Sequence, residues 1–453
     1  MAEVIKIKKC LDINLKGEAE KIYVKAPRAK TYAIKPVDWH GLTPKIIPKL
    51  CDQVKVGTPI FYDKYRPEVK FTSPVSGILY SINRGERRRI IEVVVEDDGK
   101  DTHETFLQGN PAELSREQIV ENLLGSGLWP MIRRRPYSVI ARTTEVPKSI
   151  FISAFDTAPL APDYDFLLKD MEEDFQWGVN VLKRLTEGKV HVNLDGRYPS
   201  VRTLTGIKGV EINRFKGPHP AGNVGIQIHK LDPINKGEVV WVVKPQDVVA
   251  IGRLFKTGRY DPSMIVALTG SRVEKPVYLK TIRGSAVAPL LEGHLKEGEN
   301  RVISGNVLDG LRIDPEKGHV GFFSSQLTVI PEGNQHELFG WLKPGLKKLS
   351  VSRSFASTWL APHRKHDIDT NYHGGERAFV MTGEYEKVLP MDIYPMQLLK
   401  AILVNDIDKM EQLGIYEVEE EDLALCEFVC TSKTPVTKIL RDGLRALRKE
   451  MEE

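Results

Sequence analysis

The chain is poor in cysteine, with four among 453 residues, and those four are unevenly spaced. So few thiols exclude a disulfide framework and favour a reducing compartment. Long apolar runs are also missing, because none approaches the roughly 20 residues that a membrane helix needs. The N-terminal MAEVIKIKKC carries no apolar signal region. We therefore expect a protein that is neither secreted nor membrane-spanning.

A dominant charge of one sign is missing as well. The chain has 65 Lys and Arg against 61 Asp and Glu, a net charge of +4, and the two signs are interspersed. A dedicated nucleic-acid binder should show a concentrated basic face, so no nucleic-acid partner is expected. The chain length and the 41% of hydrophobic residues predict two to four domains with full-sized cores.

The pattern of secondary structure changes along the chain. Residues 1–105 contain short strands separated by Gly and Pro, such as VKVGTPIFYD and IIEVVVEDDG. In 106–260 strands alternate with helices, which is typical of an α/β layer. A capping box, Ser115 with Gln118, predicts a helix that Gly125 ends, and an amphipathic pattern predicts one continuous helix over 165–187. Residues from about 262 to 330 return to strands and turns, and the tail from about 390 is helical.

Two segments near the C-terminus keep the spacing of an iron–sulfur motif without most of its cysteines. The bacterial motif is Cys-x2-Cys-x2-Cys-x3-Cys-Pro. The downstream frame consists of Glu420, Leu423, Cys426, Cys430 and Thr431, and the upstream frame consists of Phe379, Thr382, Tyr385, Leu389 and Pro390. Such frames cannot hold a four-thiolate cluster. We interpret Cys426 and Cys430 as inert remnants and expect no metal site.

Basic runs are the other feature with a functional alternative. The runs Arg87–Arg89 and Arg133–Arg135 are typical of solvated faces, and docking to anionic lipid or an acidic partner is the alternative. The last helix, LRALRKEMEE, lacks Trp and Phe and is interpreted as a solvated tail. His219 and His229 lie in a glycine-rich stretch without metal-ligand spacing, which predicts a structural loop or a ligand-contacting one.

The combination of these features resembles a known family. The segments FTSPVSGILYSINRGERRRIIEVV, FKGPHPAGNVGIQIHKLDP and EEEDLALCEFVCTSKTP resemble the A subunit of bacterial Na+-pumping NADH:quinone oxidoreductases over nearly the whole chain. More distantly, the chain is similar to the C subunit of the Rnf complex and the flavin-binding subunit of complex I. The resemblance implies an α+β multidomain fold with four domains: a barrel-sandwich hybrid (1–105), a Rossmann-like α/β domain with a defunct nucleotide site (106–260), a β-grasp or SLBB-like domain (261–335), and a helical domain from a degenerate ferredoxin module (336–453).

The departures from the distant relatives indicate that redox sites have been lost. Their glycine-rich flavin loop corresponds here to LLGSGLWPMIRRRP, which keeps Gly125 and Gly127 but places Leu128 and Trp129 where small residues are needed. Their acidic nucleotide-binding cluster is reduced to Asp156. The resemblance therefore implies that this chain binds no flavin, iron–sulfur centre or other cofactor and carries no catalytic residue.

The resemblance also implies a function. It predicts a peripheral subunit on the cytoplasmic face of the bacterial inner membrane, docked to other subunits that carry the flavins and iron–sulfur centres for NADH oxidation, ubiquinone reduction and Na+ export. Ubiquinone contact is possible, since an apolar ring needs aromatic walls and a few donors. The candidate residues are Lys35, Asp38, Trp39, His40, Trp129, Arg133 and Arg134. Two rivals remain: a free-standing soluble ligand-binding protein, and a functional flavoenzyme of the Rnf type.

Overall fold

The computed structural model describes residues 4–198, 204–335, 338–340 and 342–452. The strands of this part of the chain are β1 (Val4–Lys6), β2 (Tyr23–Lys25), β3 (Thr31–Ile34), β4 (Pro44–Ile46), β5 (Gln53–Val54), β6 (Pro59–Asp63), β7 (Arg66–Thr72), β8 (Gly77–Arg84), β9 (Ile90–Asp97), β10 (Arg133–Arg135), β11 (Val139–Ile140), β12 (Ser149–Ser153), β13 (Lys189–Asp195), β14 (Glu211–Lys216), β15 (Val240–Val242), β16 (Ser263–Thr269), β17 (Val277–Ile282), β18 (Asn300–Ser304), β19 (Leu311–Ile313) and β20 (Gln326–Pro331). Its helices are α1 (Arg116–Ser126), α2 (Tyr164–Leu167), α3 (Glu172–Lys183), α4 (Val224–Leu231), α5 (Pro245–Thr257), α6 (Ala288–Leu291), α7 (Ser357–Leu360), α8 (Tyr385–Val388), α9 (Pro395–Leu403), α10 (Ile407–Gln412), α11 (Glu420–Val429) and α12 (Val436–Glu452).

The N-terminal region forms two antiparallel sheets, in the orders β3-β9-β8-β5 and β4-β6-β7. The strand β9 is rich in β-branched residues, and Val93, Val94 and Val95 are buried in it. Such residues fit a pleated surface that packs on a core. The short strands predicted in this region are confirmed.

A seven-stranded sheet with the order β1-β14-β13-β12-β15-β10-β11 forms the α/β region. The strands from β1 to β15 in this order run parallel, and β10 and β11 add an antiparallel edge. After β12 the chain proceeds through β13 and β14 on one side and then returns to β15 on the other. The gap between the carboxyl ends of β12 and β15 is therefore a topological switch point, where open α/β sheets bind ligands.

The first 25 residues contribute strands to two different sheets. Val4 pairs with Arg214 in the seven-stranded sheet. Tyr23 pairs with Tyr278 in a six-stranded sheet of order β19-β18-β20-β16-β17-β2. Both pairings are parallel and lie at a sheet edge, so the N-terminal segment connects the α/β region to the sheet that follows it.

Two predicted helices in the α/β region end or break differently from expectation. The capping box of Ser115 and Gln118 is present, but α1 continues to Ser126, and Gly127 rather than Gly125 adopts the left-handed cap. The continuous helix predicted over 165–187 is wrong, because the chain divides into α2 and α3. Asp170 between them has a φ of 65°, which an uninterrupted right-handed helix does not allow.

The C-terminal helices pack against the seven-stranded sheet in one apolar core. Phe151 and Val242 of the sheet share this core with Leu440, Leu444 and Leu447 of α12. The three leucines are fully buried. The prediction of a solvated C-terminal tail is therefore wrong: the apolar positions of α12 follow the helical period and face the core, although the helix lacks Trp and Phe.

Candidate functional site

Trp39 lies between β7 and the segments that precede β10 and β20. Its indole N–H donates to the carbonyl of Pro130 at 2.9 Å, and the side chain is buried. Its ring centroid is 4.7 Å from that of Phe71, 4.8 Å from Phe322 and 5.5 Å from Phe323. We call these four rings the Trp39 junction. A buried indole with a satisfied N–H is well suited to join domains.

Three cations lie against two of the four rings of the Trp39 junction, Phe322 and Phe323. Arg283 lies 4.9 Å above the Phe322 ring, and Arg133 and Lys244 lie 5.5 and 5.8 Å from the Phe323 ring. The ammonium of Lys244 also donates to the Phe323 carbonyl at 2.9 Å. Burial lowers the pKa of Lys244, and the nearby Arg133 lowers it further. Arg283 is also paired with Asp247 at 2.6 Å. The junction therefore offers aromatic rings with Arg133 and Lys244 beside Phe323, which suits a planar group.

The remaining candidates in the loop around Trp39 already have protein partners. Lys35 donates to the carbonyl of His319 at 2.6 Å, and Asp38 accepts from the backbone N–H of Phe322 at 2.8 Å. Burial raises the pKa of Asp38. The side chain of His40 is 43% exposed and lies 3.7 Å from a carboxylate oxygen of Glu420 in α11. Of these four neighbours in sequence, His40 is the one that solvent reaches most easily.

The other three candidate quinone residues, Trp129, Arg133 and Arg134, lie in different surroundings. Trp129 is fully buried, donates to the Ala141 carbonyl at 2.9 Å and meets Trp241 edge-on with centroids 5.6 Å apart. Arg134 is 6% exposed and pairs with Glu452 at 2.5 Å. Of Trp129, Arg133 and Arg134, the structure brings Arg133 to the Trp39 junction.

The segment predicted to correspond to a flavin loop caps a helix and packs against a neighbouring strand. Gly127 has a φ of +75° and ends α1, and its N–H donates to the carbonyls of Leu123 and Leu124. A Cβ on Gly127 would lie 2.4 Å from Thr72 Oγ1. Gly125 lines a shallow cavity of about 480 Å³ between β7 and α1, together with charged side chains such as Arg116.

The predicted solvated face at Arg133–Arg135 is wrong, since these residues form β10 and the side chains of Arg134 and Arg135 are buried. The guanidinium of Arg135 meets three carboxylates at the start of α11: Glu419 at 3.1 Å, Glu421 at 2.7 Å and Asp422 at 2.9 Å. Burial raises the pKa of Asp422 to about 7; Arg135 opposes this rise, and the two glutamates add to it. We call these four residues the Arg135 cluster.

A glycine of α4 makes room for the Arg135 cluster. A Cβ on Gly225 would lie 2.2 Å from one Asp422 oxygen and 2.5 Å from an Arg135 nitrogen. The side chain of Asn223, just before α4, donates to the Glu421 carbonyl at 2.8 Å. The N-termini of α4 and α11 therefore face the same carboxylates. The partial positive charge of each helix N-terminus stabilises these anions.

The switch point between β12 and β15 is partly filled by the chain itself. Asp156 follows β12 and Lys244 follows β15. The loop after β14 covers this edge so closely that a Cβ on Gly222 would lie 2.6 Å from the Thr157 nitrogen. His219 of the same loop is buried 3.2 Å from the Thr157 hydroxyl, and burial lowers its pKa to about 4. His219 thus belongs to a packed loop, the structural alternative of the sequence prediction.

The two iron–sulfur-like frames meet in space. The hydroxyl of Tyr385, third in the upstream frame, donates to the sulfur of Cys430, fourth in the downstream frame, at 3.0 Å. Phe379 stacks near Tyr385 with centroids 6.1 Å apart. Burial raises the pKa of the Cys426 thiol, and burial also acts to raise that of Cys430. Hydrogen bonds from Tyr385 and Thr434 outweigh this effect, and the pKa of Cys430 is lowered.

The residues of the frames do not fit an iron–sulfur cluster. Such a cluster takes four thiolates, and the two frames together present Cys426 and Cys430. Leu423 and Leu389 are buried apolar residues, and Glu420 is paired with Arg441. Among residues 4–198, 204–335, 338–340 and 342–452, no group of three or more His, Cys, Asp or Glu side chains could hold a metal ion. No helix in those ranges is both long and apolar enough to cross a bilayer.

Two features of the site have little or no signal in the sequence. The contact of Arg133 and Lys244 with Phe323 has no sequence signal, because the partners lie far apart in the chain. The Arg135 cluster has a weak one: four consecutive acidic residues, Glu419–Asp422, open a helix whose following residues are apolar. If the apolar residues of this helix are buried, the acidic run is carried toward the core, where its charges need a cationic partner.

Comparison with known proteins matches the architecture to one family. Family models match an NqrA N-terminal barrel-sandwich hybrid domain at residues 5–98, an NqrA second alpha/beta domain at 114–260, and an NQRA C-terminal domain at 265–314. An air-oxidised NAD+-reducing [NiFe]-hydrogenase structure is also similar, with a TM-score of 0.37 and 11% identity, over 68% of this chain and 55% of that one.

Full-length relatives agree with the family models. The A subunit of the Na(+)-translocating NADH-quinone reductase of Yersinia pestis bv. Antiqua (strain Angola) is 42% identical over 450 residues, covering 99% of this chain and 100% of that protein. The corresponding protein of Hahella chejuensis is 41% identical over 454 residues with the same coverage. The fold is thus that of a mixed α/β multidomain protein with a barrel-sandwich hybrid at its start. The chain belongs to the family of the A subunit of Na(+)-translocating NADH-quinone reductases, part of an oxidoreductase that is also a translocase.

Proposed function

We propose that this chain is a cofactor-free, peripheral subunit on the cytoplasmic face of a bacterial membrane complex that oxidises NADH, reduces ubiquinone and exports Na+. Flavins and iron–sulfur centres belong to its partner subunits. The observation that carries the proposal is the full-length similarity to the A subunits of such reductases. The loss of redox residues supports it as well. Tyr385 stands at the third cysteine position of the upstream frame, and Trp129 stands where the flavin loop of the distant relatives needs a small residue.

We further infer that the C-terminal helices descend from a two-cluster ferredoxin module. In two-cluster ferredoxins the fourth cysteine of each motif ligates the other cluster. This sharing of ligands brings the third position of one motif close to the fourth position of the other. Tyr385 and Cys430 hold these two positions in the frames and are in contact. The domain limits 1–105, 106–260, 261–335 and 336–453, with a β-grasp or SLBB-like third domain, belong to the same proposal.

Quinone contact is proposed at the Trp39 junction rather than at the switch point. The junction offers aromatic rings, with Arg133 and Lys244 as donors beside them, and His40 at an exposed edge. A photoreactive ubiquinone analogue should label the native complex at this edge, and His40→Ala should reduce that labelling. If the native complex and the His40→Ala complex are both labelled only on other subunits, this chain does not contact quinone.

Purification of a tagged copy from native membranes in mild detergent tests the main proposal. We expect other membrane subunits in the eluate and NADH:quinone turnover that rises with Na+. Elution of the chain alone from the soluble fraction, without activity, would favour the free-standing ligand-binding protein. A separately purified chain that carries flavin or iron would instead support the Rnf-type flavoenzyme, so absorption and iron content are measured on the same sample.

A further inference from the structure

Residues 342–365 form a segment in which exposed apolar side chains are interspersed with basic ones. Leu342, Leu346, Trp359 and Leu360 are 70%, 56%, 69% and 74% exposed. Large apolar side chains at such exposure are common singly but rarely so dense in one loop. We call residues 342–365 the basic–apolar segment.

The charge of the basic–apolar segment is of one sign. It contains Lys343, Lys347, Lys348, Arg353, Arg364 and Lys365 and no Asp or Glu, whereas the whole chain is nearly balanced at +4. Lys347 and Arg353 are exposed. A concentration of positive charge within an otherwise mixed surface indicates an anionic counterpart.

Internal contacts fold the segment into a loop. The N–H of Ala356 donates to the Pro344 carbonyl at 2.9 Å, and Arg364 donates to the Leu346 carbonyl at 3.1 Å. These bonds bring the first half of the segment to α7, which carries Trp359 and Leu360. The apolar side chains are therefore presented by an ordered loop.

We propose that the basic–apolar segment docks onto the anionic phospholipid surface of the membrane, with Trp359 and Leu360 in the headgroup region and Lys347 and Arg353 against lipid phosphates. Trp is favoured at that depth, and Lys and Arg extend their charged ends toward the headgroups. The inference rests on the proposed function, because that function places the chain beside a membrane.

The charge of the segment favours lipid over a protein partner. Cytoplasmic loops of membrane proteins carry an excess of Lys and Arg, and would repel a segment whose charged residues are all basic. The cytoplasmic leaflet carries anionic lipids and attracts it. Apolar insertion together with several basic residues is the combination that holds peripheral proteins on such a surface.

Vesicle binding by the purified full chain tests the proposal without the other subunits. We expect co-sedimentation with vesicles of phosphatidylcholine containing about 30 mol % phosphatidylglycerol, weak binding to phosphatidylcholine alone, and release at about 0.5 M salt. Lys347→Gln with Arg353→Gln should weaken binding about 30-fold, the effect expected for two basic groups at the surface. Trp359→Ala with Leu360→Ala should also weaken it, at unchanged thermal stability.

The matched control is Arg87→Gln with Arg88→Gln, which removes the same charge from another exposed basic run. Equal losses in the two double variants would mean that net charge alone acts, and would overturn the assignment to this segment. Absence of binding to anionic vesicles would overturn it as well. If the chain then still copurified with its membrane subunits and Lys347→Gln/Arg353→Gln weakened that association, the segment would be a protein-docking surface and the main proposal would stand.

Discussion

The Arg135 guanidinium lies 2.9 Å from a carboxylate oxygen of Asp422, a residue 287 positions further along the chain, and both side chains are buried. This ion pair joins the α/β sheet to the helix that carries the downstream frame. Since a buried charge without its partner is costly, the pair makes the C-terminal helices and the sheet dependent on each other.

Removal of Arg135 should therefore destabilise the protein strongly. Arg135→Ala leaves three carboxylates around an empty space and is expected to lower the free energy of unfolding by about 3–5 kcal/mol. Urea denaturation measures the loss. Arg142→Ala is the control, because Arg142 is 37% exposed at its side chain and pairs with Glu452 at 2.7 Å; its cost should stay below about 1 kcal/mol. Similar costs for both variants would contradict a special role for the Arg135 cluster.

The raised pKa of Asp422 predicts a pH dependence of stability. In the folded state this pKa is about 7 against an ordinary value of 3.8, so the folded protein holds a proton that the unfolded chain has lost. This contribution to the free energy of unfolding is present below pH 3.8 and is lost as pH rises to about 7. Asp422→Asn, which cannot ionise, should flatten the fall in Tm over that range. Identical pH profiles for the two proteins would sink the prediction.

A side chain at position 225 should disturb the contact between Arg135 and Asp422 sterically. The added methyl of Gly225→Ala would lie 2.2 Å from the Asp422 carboxylate, too close for any Cβ. We expect a cost of about 1–3 kcal/mol in thermal or urea unfolding. Gly206→Ala is the control, since a Cβ there meets no atom within 4 Å. Unchanged stability of Gly225→Ala would show that the two helices separate easily.

The two frame thiols should be dispensable for turnover. Cys426 and Cys430 are buried, and Cys430 accepts a hydrogen bond from Tyr385. Replacing both by Ala removes packing and should cost about 1–3 kcal/mol of stability, while NADH:quinone turnover of the assembled complex stays nearly unchanged. Cys51→Ala is the exposed control. Turnover lost from a complex that retains all its subunits would assign these thiols a role beyond packing.

The Trp39 junction should control how the sheets unfold together. Trp39→Ala leaves a cavity between β7 and the segments before β10 and β20 and should cost about 3–5 kcal/mol, with calorimetric unfolding separating into more than one transition. Trp359→Ala, at an exposed position, should change stability by less than about 0.5 kcal/mol. A single unshifted transition for Trp39→Ala would show that other contacts carry the association.

Local signals in the sequence predicted local structure well. The capping box of Ser115 and Gln118 predicts the start of α1 because its donors and acceptors lie within four residues. The break at Asp170 was missed, since the apolar period continues across it and the left-handed turn has no glycine to mark it. The spacing of the two frames was visible in the sequence, but the contact of Tyr385 with Cys430 appears only in three dimensions.

Charge patterns were the least informative. Arg133, Arg134 and Arg135 have the pattern of a solvated run, yet two of them are buried in ion pairs whose acids lie near residues 420 and 452. Sequence gives the number of charges in a run but not the distant partner that allows burial. The same limit explains why Lys244 and Phe323, adjacent to the candidate quinone residues in space, were absent from the prediction.

The edge strands at the start of the chain constrain the order in which the protein can fold. The strand β1 is made about 200 residues before its partner β14, and β2 waits still longer for β17. At a synthesis rate of about 5–20 residues per second, the N-terminal segment leaves the ribosome tens of seconds before it can pair. The seven-stranded sheet is complete only when β15 has been made, and the six-stranded sheet only when β20 has been made. We therefore expect a slowly folding chain in which β1 and β2 need protection by chaperones until their partners are made.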